Sequence, residues 1–331
     1  MSRSTRTRPA DRISLSRRRL LGAAVGAVPA ASALSIGGTL IGTGGGLLPA
    51  SGARAQPAPA AITTINFGGL VLLQGAGCNV IAMAGDDGAL MVDGGLAANA
   101  DVLLRAIYEA TGNDRVAMLI NTHWHPEQTG ANEAVGNAGG TIFAHENTRI
   151  YLGNKVYADP FEPPREPLPE AARPTETTLG DGSLEFSGLR LDYGHLPQAH
   201  TDGDLYVHFL EHDVLVAGGV VSAERWPLLD YRNGAWYGGR VRALQRLAEV
   251  VEPDTRVVPA HGPPRSGRDV VRLRDIYDEL FLTLIGYMNK GFGPEDAAAA
   301  NPLAQYEDEF GDASEFLYGA YRSMLIAYVP E

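Results

Sequence analysis

The sequence predicts an α/β fold with two sheets and helices packed against them. Up to residue 120, short apolar runs occur in strand, helix, strand order, and the last of them ends beside a pair of histidines. A second group of strand-like runs follows a proline-rich segment, and the carboxyl-terminal part has apolar residues at helical spacing. Since 45% of the 331 residues are hydrophobic and 20% are charged, the chain can build the core of one substantial domain or two small ones.

The predicted elements follow one another in a regular order along the chain. A Gly-Asp-Asp-Gly turn at residues 85–88 predicts a hairpin between two early strands. Residues 159–174 contain six prolines and are expected to form an ordered or mobile loop outside the core, at a place where it can cover a site. Strands are predicted at 70–73, 78–84, 89–93, 116–120, 141–144, 184–186, 189–193, 205–210, 214–217 and 256–259. Helices are predicted at 97–111, 131–138, 146–152, 241–251, 270–290 and 313–327.

Residues 1–55 have the composition of an export signal. They hold eight arginines and one acid, a charge of +7, followed by a weakly apolar run from Leu20 to Leu48 and a small-residue pattern that ends at Ala55. The segment Ser16-Arg17-Arg18-Arg19-Leu20-Leu21 resembles a twin-arginine signal. An uncleaved anchor is the alternative, but the many glycines and Pro29 make a poor membrane-spanning helix.

This interpretation divides the chain into a signal peptide at 1–55, a linker at 56–61 and one domain at 62–331. The twin-arginine export machinery is then a partner, and the mature protein is expected in the periplasm or outside the cell, without a stable membrane anchor after cleavage. Because the whole chain has a net charge of −12, residues 56–331 carry −19. Such a surface repels phosphate backbones and anionic lipids, so nucleic acid is not expected as a partner.

The histidines of the central region have metal-ligand spacing. His123 and His125 are separated by one residue where an apolar strand gives way to a glycine-containing loop, so both can reach one ion. The pair alone is compatible with chance in a chain with eight histidines. His200 and His261 strengthen the case, because each also lies at the end of a predicted strand beside a glycine.

In these motifs the chain resembles the metallo-β-lactamase superfamily. That family has a Thr-His-x-His-x-Asp-His segment, a histidine in a His-Thr-x-Gly-Asp setting, an aspartate and a last histidine in Gly-His-Gly, and the same order holds over about residues 65–265. The run 88–95, which contains Asp93, resembles the family's early strand. The resemblance implies a four-layer αββα sandwich with two mixed sheets inside, helices outside and the site at one edge.

The resemblance also implies a first metal site made by His123, His125 and His200, which hold zinc and leave a position for water. One zinc of this kind lowers the pKa of its water from about 15.7 to near 7. The expected function is therefore an exported, mononuclear hydrolase of a small-molecule substrate, in which a zinc-bound hydroxide attacks an ester, lactone or amide carbonyl. The alternative is a non-catalytic binding protein that has kept the fold and part of the metal site.

The second metal site of the family is altered in this sequence. Glu127 stands where the family has aspartate, Gln128 where it has histidine and Gly219 where it has the bridging aspartate. Only His261 is unchanged. Glu127 and His261 are the expected catalytic residues, with Glu127 orienting water or acting as general base, while a second metal held by Glu127, Gln128 and His261 stays open. Family members that need two metals, or iron with the bridging carboxylate, are not favoured.

Other residues admit plainer interpretations. Cys78 is the only cysteine, which excludes an intramolecular disulfide, and it is expected to be a buried structural residue. His145 is expected to cap a helix or border the pocket, and His195 to lie behind the metal ligands. His208 and His212 are expected at the surface. An aromatic group is expected either to line a pocket or to pack against the helix at 241–251: Trp226, Tyr231, Trp236 and Tyr237.

Overall fold

Short apolar runs separated by glycine turns build the first sheet. The structure, a computed structural model, describes residues 61–157, 164–227 and 229–328, so the predicted signal peptide and nearly all of the linker lie outside the described residues. In this part of the chain the first sheet has seven strands in chain order. They are β1 (Thr63–Asn66), β2 (Leu70–Gln74), β3 (Val80–Met83), β4 (Ala89–Val92), β5 (Val116–Ile120), β6 (Thr141–His145) and β7 (Glu176–Thr178).

The direction of these strands changes at β4. Strands β1 to β4 pair antiparallel through tight turns, whereas β4 to β7 pair parallel. Parallel neighbours need a crossover segment, and helices supply it between β4 and β7. These helices are α1 (Ala100–Thr111), α2 (Pro126–Thr129), α3 (Asn132–Asn137) and α4 (Glu146–Gly153).

The second sheet comes from the carboxyl-terminal half and is also mixed. Its six described strands run in the order β13-β12-β11-β10-β9-β8, with β11 and β12 parallel and the other pairs antiparallel. The strands are β8 (Gly182–Phe186), β9 (Leu189–Leu196), β10 (Asp204–Phe209), β11 (Val214–Gly218), β12 (Arg256–Pro259) and β13 (Arg265–Ser266). The helices of this half are α5 (Tyr237–Val250), α6 (Gly267–Asn289), α7 (Pro294–Ala300), α8 (Glu307–Phe310) and α9 (Ser314–Tyr328).

Alternation of side chains along the strands produces four layers. In β4, Leu90 and Val92 belong to the core between the two sheets, while Met91 points to the layer of α1. In β11, Val216 joins the same inner core and Leu215 packs against the outer helices of the second half. Both sheets are therefore covered on both faces, and the αββα sandwich that the sequence predicts is confirmed.

Most predicted elements coincide with those of the structure. The strands at 116–120 and 256–259 have the predicted bounds, whereas α5 begins four residues before the predicted helix at 241–251. Of the proline-rich loop, residues 164–174 are described, and Val156 and Arg165 form an isolated bridge there. No helix among the described residues has both the length and the apolar composition that a membrane crossing requires.

One predicted placement is wrong. His208 was expected at the surface but is buried, with 9% of its surface exposed. It lies in β10, where all six residues are buried because this strand is in the interior of the second sheet and is covered on both faces. The single-sequence pattern around residue 208 does not reveal that both faces of this strand are buried.

Candidate metal centre

The strand ends at one edge of the sandwich bring the functional histidines together. Residue 122 follows β5, and its carbonyl accepts a hydrogen bond from the backbone N–H of Leu205 in β10 (2.8 Å). The N–H of Ala260, after β12, donates to the carbonyl of Gly218 at the end of β11 (2.8 Å). The first bond joins the two sheets and the second joins two strand ends of the second sheet, so side chains from residues far apart in sequence share one site.

His123 is oriented by a series of hydrogen bonds between buried polar groups. The carboxylate of Asp93 accepts hydrogen bonds from the Thr122 N–H (2.8 Å) and the Thr122 hydroxyl (2.9 Å). Because that hydroxyl donates to Asp93, it accepts from the nearby His123 Nδ1–H (3.0 Å), which leaves Nε2 of His123 to face the site. Burial raises the pKa of Asp93 to about 7, and the hydrogen bonds from Thr122 oppose that shift.

His125 is oriented by a carboxylate that sequence analysis did not identify. Asp230 Oδ2 lies 3.3 Å from His125 Nε2, and the carboxylate is itself held by the side-chain amide of Asn233 (2.9 Å). Since a carboxylate accepts hydrogen bonds, Nε2 of His125 donates and Nδ1 is free to bind an ion. Asp230 is 105 residues from His125, and nothing in the local sequence distinguishes it from a loop acid.

His200 is fixed by the turn that precedes β10. The carboxylate of Asp204 accepts hydrogen bonds from the backbone N–H groups of His200 (2.6 Å) and Thr201 (2.8 Å) and from the Thr201 hydroxyl (2.8 Å). Burial raises the pKa of Asp204 to about 6, while these donors oppose the shift. The aspartate of the His-Thr-x-Gly-Asp segment therefore shapes the loop that presents the histidine.

The three imidazoles surround one point. Their ring centroids are 4.8 Å apart in all three pairs, and His200 Nε2 lies 3.1 Å from His125 Nδ1. One ligand atom from each ring lies within 4.8 Å of the others, and in the described ranges this is the single such group of three or more His, Cys, Asp or Glu residues. The three side chains that the sequence predicts as ligands are thus brought together by the fold.

The chemistry of this donor set fits zinc. Burial lowers the pKa of His123 well below its usual value, and the charges of His200, His125, His261 and Arg240 lower it further. The imidazole is therefore neutral at pH 7 and has a lone pair available on Nε2. Three neutral imidazole nitrogens on one side of an ion are a known zinc arrangement that leaves a fourth position for water.

The family comparison decides the classification. Residues 73–272 match the family described as the metallo-beta-lactamase superfamily. The chain belongs to this superfamily. No curated protein matches it significantly by sequence alone.

Several solved structures resemble the fold at low sequence identity. A metallo-beta-lactamase from Pontibacter korlensis is 21% identical, with a TM-score of 0.50, and the alignment covers 66% of this chain and 94% of that one. The DIM-1 metallo-beta-lactamase is 16% identical (TM-score 0.52; 67% and 98% covered). The inverting sec-alkylsulfatase Pisa1 from Pseudomonas sp. is 16% identical (TM-score 0.59; 80% and 50%), so the chain spans about half the length of that enzyme.

Gly219, which follows β11, lies against the ring of His200. A Cβ atom at Gly219 would lie 2.7 Å from Nε2 of His200, closer than carbon and nitrogen can pack. Gly218, beside it, has a φ of +53°, which favours glycine. In this member of the superfamily the residue after β11 therefore leaves room for the His200 ring and carries no carboxylate toward it.

The remaining predicted site residues surround the histidines without joining them. Glu127, half-buried in α2, and His261, exposed after β12, both line the cavity in front of the metal ligands. Gln128 is buried, and its Nε2 has no hydrogen-bond partner. Its side chain contacts the thiol of Cys78, whose pKa is raised by burial and by the charge of Asp93. Cys78 is buried, as predicted, but it lies near the site although it is distant in sequence.

A cavity of about 1130 Å³ opens in front of the three histidines. Its wall includes Arg165 of the proline-rich loop and Phe316 of α9, a helix that lies outside the region of sequence resemblance. Trp226 also lines it and stacks on Phe316, with centroids 5.3 Å apart. Of the other aromatic residues, Tyr231 lines this cavity, whereas Tyr237 is fully buried in the core.

His145 and His195 form a stacked pair apart from the metal ligands. His145 Nδ1 accepts a hydrogen bond from the N–H of Asn147 (3.1 Å) and so caps α4, as predicted. Its ring lies 3.8 Å from the ring of His195, whose Nε2 is 3.0 Å from the carbonyl of Asp202. Burial lowers the pKa of His145 to about 4, and the charge of His195 adds to this effect.

Proposed function

We propose that the chain is an exported hydrolase that uses one zinc ion, held by His123, His125 and His200, to cleave an ester, lactone or amide of a small molecule. The observation that carries this proposal is the convergence of three imidazole nitrogens at the wall of a large cavity. A zinc ion bound there supplies Lewis acidity, which polarises a carbonyl and lowers the pKa of water to about 7. The fold alone does not define the reaction, which is why the site is the basis of the proposal.

The chain's own residues orient the ligands and the reactants. Thr122 and Asp230 each fix one imidazole through its second nitrogen. Glu127 lines the cavity beside the histidines, where its carboxylate can accept a proton from the attacking water. His261 lines the same cavity and can donate a proton to the departing group.

A single zinc is proposed because the second site lacks converging ligands. Glu127 and His261 do not belong to the close group of histidines within the described residues. Gly219 contributes no side chain, and a carboxylate there would displace His200. One hydroxide source and one Lewis acid are sufficient for hydrolysis of a carbonyl compound.

The proposal that the chain is exported rests on the first 55 residues, which the structure does not describe. The arginine-rich start, the glycine-rich apolar run and the Ser16-Arg17-Arg18 segment support a twin-arginine route. Replacing both Arg17 and Arg18 by lysine should leave unprocessed protein in the cytoplasm, as measured by fractionation. Continued cleavage and export of that variant would refute the twin-arginine assignment.

The hydrolysis test uses a panel of esters, lactones and anilides with purified protein. We expect zinc-dependent turnover of at least one class, abolished in His200→Ala and retained in His212→Ala, a half-buried histidine outside the cavity. The second candidate is the non-catalytic binding protein, which Gly219 and Gln128 favour. Tight binding of a panel compound without turnover in the zinc-loaded protein would refute the hydrolase and support that candidate.

A further inference from the structure

Trp124 lies between two of the metal ligands in sequence and contacts one of them. Its indole ring meets the ring of His125 edge-on, with centroids 4.6 Å apart and an angle of 74° between the planes. Trp124 is 3% exposed, and its Nε1 has no hydrogen-bond partner among the described residues. Because no hydrogen bond fixes the indole, its position depends on the groups that pack against the ring.

His125 is the least constrained of the three metal ligands. His123 and His200 are buried, whereas His125 is half-buried. The distance of 3.3 Å between His125 Nε2 and Asp230 Oδ2 is long for a hydrogen bond, since most such bonds end at about 3.2 Å. A long hydrogen bond allows the ring to tilt, so the edge contact with Trp124 is the second restraint on the direction of Nδ1.

Two side chains pack against the indole of Trp124. Tyr151 of α4 stacks on it, with centroids 4.9 Å apart and an angle of 11° between the planes. The guanidinium carbon of Arg165 lies over the same ring, 5.3 Å from its centre, where a cation is attracted by the π-electrons. The nearest acid in sequence, Glu166, pairs with Lys155 (2.8 Å), so Arg165 has the indole as its main partner in the described part of the chain. Arg165 therefore joins the proline-rich loop to the ring that contacts His125.

The backbone around Arg165 is fixed, so its side chain starts from a defined position. The N–H of Arg165 donates to the carbonyl of Val156 (2.8 Å), and the N–H of Val156 donates to the carbonyl of Arg165 (3.0 Å). Three residues later, the N–H of Leu168 donates to the carbonyl of Leu152 (2.9 Å). The neighbouring prolines restrict the backbone further. Leu152 and Val156 also belong to the buried cluster around Trp124.

We propose that Arg165 is a positioning residue for the metal centre, which holds the indole of Trp124 against the ring of His125 and so raises the affinity for zinc. This inference rests on the proposed zinc site, because its effect is exerted on a ligand of that ion. A ligand that is oriented before the ion arrives loses less conformational freedom on binding. The proline-rich segment, which lies outside the metal-binding motifs, is then part of the support of the metal centre.

The test measures zinc affinity by competition with a chromogenic chelator. Arg165→Gln removes the charge, and its zinc affinity should fall about two- to fivefold, the effect of one exposed cation–π contact. Arg165→Lys keeps the charge but loses the planar group, so its zinc affinity should lie between those of the native protein and Arg165→Gln. The matched control is Arg242→Gln, because Arg242 lies 4.6 Å from the ring of Trp236, which is outside the cavity wall of the described residues. This control should bind zinc like the native protein.

A double-mutant cycle separates this role from a general effect on stability. Trp124→Leu removes the aromatic face, so adding Arg165→Gln to it should lower the zinc affinity no further. The unfolding temperature of the metal-free Arg165→Gln protein should differ from that of the native protein by only a few degrees. If Trp124→Leu does not fold, Trp124→Phe takes its place in the cycle. The effect of Arg165→Gln should then be reduced, since a phenyl face attracts a cation less than an indole face does.

Fluorescence gives a readout that needs no metal. The difference between the emission spectra of the native protein and Trp124→Phe isolates the emission of Trp124. In the metal-free protein, Arg165→Gln should shift this emission because it removes the charge over the ring. Arg242→Gln should leave the emission of Trp124 unchanged.

The outcomes distinguish this inference from the zinc site on which it rests. Native zinc affinity in Arg165→Gln would overturn the positioning role and leave the zinc site intact. The same loss of affinity from Arg165→Gln with and without the aromatic ring at residue 124 would also overturn it, because the arginine would then act without the indole. An unchanged Trp124 emission in metal-free Arg165→Gln would refute the contact itself. Failure of the native protein to bind zinc would refute the zinc site and this inference together.

Discussion

Replacing Gly219 by alanine should weaken zinc binding, because this glycine lies against the ring of His200. The added Cβ would lie 2.7 Å from Nε2 of His200, the nitrogen that faces the site. Carbon Cδ2 of the same ring lies closer still to this Cβ. Because ordinary contacts between heavy atoms begin near 3.5 Å, the ring must move by roughly 1 Å or more. Zinc ligands tolerate deviations of only about 0.2 Å, and the displaced histidine therefore binds poorly.

The size of the effect follows from this clash. Forcing one extra carbon into a filled position costs about 1–3 kcal/mol, and every 1.4 kcal/mol corresponds to about tenfold in affinity. The zinc affinity of Gly219→Ala should thus fall by about tenfold to a hundredfold. Gly219→Asp should suffer the same loss and should not gain a second zinc, because its carboxylate can enter only if His200 leaves its place.

The assay is competition for zinc with a chromogenic chelator, combined with thermal unfolding of the metal-free protein. Gly180→Ala is the control, since a Cβ at Gly180 meets no atom within 4 Å. It should bind zinc like the native protein. Native affinity in Gly219→Ala, or two zinc ions in Gly219→Asp, would refute the reasoning about His200.

Three further predictions concern the histidines and their partners. His200→Ala should abolish tight zinc binding in the same competition assay, while His145→Ala should change the zinc affinity by less than about twofold. The reverse pattern would refute the ligand assignment. Asp230→Ala should lower zinc affinity by about 10–100-fold. Asp230→Asn should lower it by less, because an amide oxygen can still accept a hydrogen bond from His125. Equal zinc affinities in both variants would contradict the role of Asp230 in orienting His125. Because the folded-state pKa of His145, about 4, lies below the unfolded value near 6.5, its contribution to stability is complete above pH 6.5. That contribution, about 3 kcal/mol, should be lost as the pH falls toward 4, and denaturant titrations should show less pH dependence for His145→Gln.

Local sequence patterns were sufficient for the fold because most strands carry their own signal. Residues 116–120 are an apolar run that ends at a polar turn, and the structure has the same bounds for β5. Strand β1 gave no such signal, because it is exposed along its whole length and depends on its pairing with β2. Such elements form because a neighbouring strand edge is available, which a single segment cannot indicate.

The metal ligands could also be predicted, since His123, His125 and His200 lie at strand ends beside glycines or prolines. The residues that support these ligands could not be predicted from the sequence. Arg240 occurs in a helix with other charged residues, and arginine is almost always exposed, so its complete burial could not be anticipated. Asp230 reaches His125 from a long loop, and its contact depends on tertiary packing rather than on spacing.

The carboxyl-terminal helices contribute to the site for a similar reason. Sequence analysis treated residues 313–327 as a closing helix, yet Phe316 of α9 forms part of the cavity wall and packs against Trp226. Amphipathic spacing predicts that a helix packs, but it does not indicate which surface the helix covers. The cavity wall therefore includes residues outside the metal-binding motifs.

The most direct test of the proposed metal centre is elemental analysis of the purified protein, prepared without added metal or chelator. The account predicts one equivalent of zinc for each native chain and none in His200→Ala. Two equivalents in the native protein would contradict the single-metal site. Absence of bound metal, together with a zinc titration that fails to saturate, would contradict the assignment of His123, His125 and His200 as a metal site.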